Sequence, residues 1–82
     1  MSTIEPSVIR ELIISLYNDD NQPSVILHSL KNLGLGREMA DHLYMALNLD
    51  PDAVTYVYAW YNGSIPDEKL NFLIRRTMKR LP

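Results

Sequence analysis

The chain has 82 residues, no cysteine, and a formal net charge of −2. That length suits one small domain over 1–82, and the missing thiols exclude a disulfide framework, a thiolate zinc site and a cysteine nucleophile together. The 46% hydrophobic content is that of a globular chain, which must hold by packing alone.

The prolines divide the chain into helices. Pro6, Pro23, Pro51 and Pro66 each stand where a helical pattern begins. There the missing proline N–H has no intrahelical partner to lose, whereas inside a helix or a central strand it would be costly. The first helix is expected over 6–18, with Val8, Ile9, Leu12, Ile13 and Leu16 on one buried face. The turn-favouring run Asn18-Asp19-Asp20-Asn21 ends it. The second starts at Pro23-Ser24 with Ser24 as a cap, turns Ile26, Leu27, Leu30 and Leu33 inward, and stops at Gly34. The third runs over 37–48 with Met39, Ala40, Leu43, Ala46 and Leu47 inward.

Asp50-Pro51-Asp52 opens the fourth helix with a cap, a first-turn proline and an acid at the positive end of the dipole, and Asn62-Gly63 closes it. Ser64 is expected to cap the fifth, whose core stripe is Leu70, Leu73, Ile74, Met78 and Leu81. The charges divide sharply at this last helix. Residues 1–68 hold ten acids against three bases, or −7; residues 69–82 hold five bases and no acid, or +5. The reading is therefore an all-α fold, a compact bundle of five short helices with short loops. Pro6-Ser7-Val8-Ile9 recurs as Pro23-Ser24-Val25-Ile26, which is read as shared helix-start grammar rather than a repeat. The Met-Ser-Thr start carries no basic run and no long apolar stretch follows it, so the expected location is the cytoplasm, with no membrane partner.

No catalytic, cofactor or metal site is expected. His28 has no acid or second histidine at ligand spacing, and His42 points about 100° away from Asp41 on a helix, so both are read as structural. Gly34-Leu35-Gly36 is too short a glycine run to cradle a phosphate.

Leu30, Leu33, Gly34, Leu35 and Leu43 fall where a helix-turn-helix unit wants its core residues and turn glycine, so the stretch 29–47 resembles that DNA-binding motif. Ala40 departs from it by standing where a larger branched residue is usual. Trp60-Tyr61-Asn62-Gly63, followed by Pro66 and Leu70, is similar to the end of a repressor-type recognition helix. The resemblance implies a DNA-binding regulator, which is the rival reading. Against it stand Glu38 and Asp41 on the would-be recognition helix, and a fourth helix with no basic or amide residue to read bases.

The favoured reading is a non-enzymatic protein–protein interaction module, a regulator, inhibitor or adaptor. Tyr56, Tyr58, Trp60 and Tyr61 crowd one helix that can bury only one broad stripe. The stripe Val54, Val57, Tyr58 and Tyr61 would leave Tyr56 and Trp60 on a flanking face as aromatic anchors. Phe72 lies off the fifth helix's stripe among Lys69, Arg75, Arg76 and Lys79, and forms with Arg76 and Lys79 a basic-aromatic patch. A protein partner is expected, and a homodimer would add buried area to a thin core.

Overall fold

The computed structural model describes residues 4–80, with side chains through Met78, and among them it is all-helical. The helices are α1 (Pro6–Asn18), α2 (Pro23–Asn32), α3 (Glu38–Leu47), α4 (Asp52–Tyr61) and α5 (Asp67–Arg80). Prolines open the first two at their first helical position, after Glu5 and Gln22. Pro51 and Pro66 directly precede α4 and α5.

The helix ends follow from backbone sterics. Gly34 and Gly63 hold φ of +92° and +81°, a region costly for a residue with a Cβ. Beyond them the N–H of Leu35 reaches back to Leu30 O and that of Ser64 to Ala59 O, satisfying carbonyls the helix leaves open. After α1 and α3 the left-handed position falls to Asp20 and Asn48, among the non-glycine residues that tolerate it best.

α1 packs on α3 and α2, α4 on α3 and α5, and α2 on α3 and α5. Their inner faces meet in one core of Ile9, Ile13, Ile26, Leu27, Leu30, Met39, Ala40, Leu43, Leu49, Ala53, Val57, Trp60, Leu70 and Ile74. The Cα radius of gyration of 11.8 Å is about what a packed chain of this length gives.

Several expected inward residues are not there. Val8 and Leu33 are exposed, and the core of α5 takes in Thr77 beside Leu70 and Ile74. Thr77 is tolerated because its hydroxyl donates to Ile74 O at 2.6 Å, so no polar atom is stranded. Leu81 lies outside the described residues. Ser24 does not cap α2. It is the second helical residue, and its own N–H donates to Asn71 Oδ1 on α5 at 2.8 Å. The proline before it has no N–H, so Ser24 carries the first open donor of the helix.

At α4, Asp50 behaves as a cap in substance: its Oδ1 accepts the N–H of Asp52 at 3.0 Å. Asp50→Ala should therefore cost about 0.5–2 kcal/mol of stability, read as a lowered denaturant midpoint. An unchanged midpoint would mean that the bond contributes nothing to the start of α4.

Candidate functional site

The aromatic helix α4 settles the first candidate. Ala53, Val57 and Trp60 recur at four- and three-residue steps and are buried; Val54, Tyr56, Ala59 and Tyr61 are half-buried; Thr55 and Tyr58 face out. The expected stripe was thus rotated. Trp60, expected as an exposed anchor, is a core residue with 7% of its surface accessible. The reason lies beyond α4. The Trp60 indole N–H donates to Asp67 Oδ1 at 2.6 Å, across the turn into α5. His28 on α2 meets the indole edge-on with ring centroids 4.9 Å apart. Tyr58, by contrast, carries a hydroxyl that water can serve. Tyr56 is partly covered and packs against the core.

Asp67 ties three helices at this junction. Its second oxygen, Oδ2, lies 3.1 Å from His28 Nε2. An ionised carboxylate only accepts, so Nε2 must carry the proton. The Trp60 N–H bond, and after it the His28 bond, hold the Asp67 carboxyl below its ordinary pKa. The sign of the consequence is fixed. A carboxylate with a depressed folded pKa contributes stability above the usual aspartate range of about 3.9, and loses it as pH falls through the folded value. Wild type should therefore lose stability relative to Asp67→Asn on acidification below about pH 4. Parallel denaturant midpoints for the two proteins through that window would refute the coupling.

His28 and Asp67 are each about half exposed, with side chains 51% and 52% accessible. The sequence spacing hid this contact, because His28 and Asp67 stand 39 residues apart. The cluster brings α2, α4 and α5 together; among the described residues no serine or threonine hydroxyl is hydrogen-bonded to it.

The second candidate is α5. Phe72 is exposed at 60%, the most open large hydrophobic side chain among the described residues. It lies about 200° around the helix from buried Leu70. The Arg76 guanidinium sits over its ring, 5.7 Å from the centroid. Lys69 and Arg75 are exposed nearby in sequence, with Arg75 donating through Nε and Nη2 to Gln22 Oε1 at 3.2 and 2.8 Å. The Lys79 side chain lies outside what the structure describes. Of the five expected partner-binding residues, the structure thus brings Phe72 and Arg76 together, removes Trp60 to the core, and leaves Tyr56 half-covered on another helix.

The other exposed large hydrophobics are Val8, Ile14, Val25, Leu33, Met45 and Tyr58. Apolar side chains scattered singly are ordinary on a protein surface. Met45, at 58%, lies on the outer line of α3 that also carries Glu38 and Asp41. Glu38 is itself oriented, since its Oε1 accepts the Gly36 N–H at 3.1 Å. That bond holds its carboxyl below the ordinary glutamate pKa.

Compared with known protein families, characterised proteins and solved structures, the chain matches none of them.

Proposed function

We propose that this protein works by binding rather than catalysis: it is a small cytoplasmic interaction module that docks an acidic protein surface on the outer face of α5. The observation that carries this reading is Phe72, 60% exposed on the side of α5 away from the core, with the Arg76 guanidinium over its ring. An exposed aromatic ring beside a guanidinium sets an apolar contact surface next to arginine, a residue enriched among side chains that dominate binding energy. Lys69 and Arg75 extend the positive field around it, while the rest of the chain is acidic. The position of α5 also fits. Its inner side is fixed by Leu70 and Ile74, so the outer side is presented on a rigid support. No described helix is long and apolar enough to cross a membrane.

The helix-turn-helix alternative fares worse on this surface. The outward positions of α3 are Glu38, Asp41 and Met45, which would set two carboxylates against phosphates.

Phe72→Ala should shift folding stability by no more than about 0.5 kcal/mol, since the ring rests on solvent. It should nonetheless abolish capture of the partner. A photo-crosslinking residue placed at position 72 in native cells should trap a discrete acidic protein, and one at exposed Thr55 should not. Equal patterns at both positions would overturn the proposal, and a stability loss of several kcal/mol in Phe72→Ala would show the ring to be packing.

A further inference from the structure

Two outer faces of this molecule match each other step for step. On α3 the exposed line is Glu38, Asp41 and Met45; on α5 it is Glu68, Phe72 and Arg76, flanked by Lys69, with the Lys79 position one turn beyond Arg76. Met45 and Phe72 are the two most exposed large hydrophobics among the described residues. Acids stand four and seven residues before Met45, and cations stand four and seven residues after Phe72. Both ladders therefore climb by about 6 Å and about 10 Å along their helices. Laid antiparallel, α3 and α5 would set Met45 on the Phe72 ring, Asp41 against Arg76, and the Glu38 position against that of Lys79. A thioether against an aromatic ring is itself a favourable contact. Lys69 and Glu68 would come together beside the carbonyl end of α3, where the cation is favoured and offsets the acid.

This pairing does not occur within one molecule. α3 and α5 make no close backbone approach, and α2 and α4 each pack against both. We infer that the occupant of the α5 face is a second copy of this chain, with α5 of one protomer lying antiparallel on α3 of the next. The inference rests on the reading that α5 binds an acidic protein surface, and it names that surface. α2 and α4 each pack against both α3 and α5, which do not touch, and one α5-on-α3 contact per pair leaves one α3 face and one α5 face unused. Growth is then head to tail, ending in an open chain or a closed ring. One short helix on another is a small footprint, so assembly should be reversible and concentration-dependent.

Sedimentation velocity of the full chain tests this. At low salt the weight-average sedimentation coefficient should rise with concentration past that of a dimer, and fall back when salt is raised to about 0.5 M. Asp41→Arg and Arg76→Glu should each weaken association about tenfold or more, and the two together in one chain should restore it. Polarity is read by mixing. Met45→Ala and Phe72→Ala, each impaired alone, should combine into pairs that stop at two, because each supplies the face the other lacks.

A wild-type chain that stays monomeric at every concentration would overturn the inference. So would a double charge reversal that fails to rescue, or a mixture that stays monomeric. If the chain is monomeric while the crosslinker at position 72 traps a different acidic protein, self-docking falls and the α5 reading stands. If that crosslinker gives only the Thr55 pattern, the α5 reading falls as well. Phe72-dependent binding to phosphatidylserine vesicles without self-association would overturn the inference in favour of a lipid surface.

Discussion

Trp60→Ala should cost about 3–5 kcal/mol of folding stability, as removal of a buried indole usually does. A chain of this size holds only about 4–12 kcal/mol in total. The variant should therefore melt far below wild type and be partly unfolded at physiological temperature. Two contributions are lost together. The ring belongs to the core and meets His28 in a T-shaped contact, and its N–H makes one of the bonds that seats Asp67 at the start of α5. Trp60→Phe separates them, since it keeps an aromatic filler and removes the donor. It should lose less stability than Trp60→Ala, and the acid sensitivity tied to Asp67 should shrink. The single tryptophan also reports on itself: folded protein should emit at markedly shorter wavelength than free tryptophan, and unfolding should shift the emission red. A Trp60→Ala melt within about 1 kcal/mol of wild type would place the indole outside the core, contrary to its burial.

Trp60 also marks the point at which the sequence ceased to be legible. Proline and glycine grammar located four of the five helices, because those residues act through local backbone sterics that need no knowledge of the fold; apolar spacing placed α3. Where apolar residues covered one clear face, as with Ile9 and Ile13 or Leu27 and Leu30, the buried side followed too. α4 is apolar nearly all round, so periodicity offered two stripes and no means of choosing. The choice was made by Asp67 and His28, which arrive from other helices and give the indole N–H an acceptor and the indole ring an aromatic neighbour. Ser24 failed for a related reason. As a local signal it reads as a cap, but the cap is supplied by Asn71, 47 residues later. Phe72 was legible because nothing distant competes for it. It lies off a stripe that Leu70 and Ile74 define clearly, and its neighbour Arg76 is four residues along the same helix.

Asn71→Ala should cost about 1–3 kcal/mol, the usual penalty for leaving a buried donor unsatisfied. α2 and α5 run antiparallel, with Gln22 opposite Arg75, Ser24 opposite Asn71 and His28 opposite Asp67. These three side-chain links differ in accessibility. The outer two are exposed, so water can replace either partner and each contributes little. The middle one is not replaceable in this way, because Ser24 is only 4% exposed and its N–H has Asn71 Oδ1 as its acceptor. The remaining substitutions at the site follow from that. Asn71→Leu keeps most of the side-chain bulk but offers no acceptor, so it should fall with Asn71→Ala. Asn71→Asp keeps the acceptor and places a carboxylate at the positive end of α2, so at neutral pH it should hold near wild type. Arg75→Ala should change stability by no more than about 0.5 kcal/mol. Amide hydrogen exchange gives the residue-level readout. The Ser24 N–H should lose protection in Asn71→Ala and Asn71→Leu, and keep it in Asn71→Asp. If Ala, Leu and Asp variants all melted alike, the Asn71 bond would not be what fastens α2 to α5.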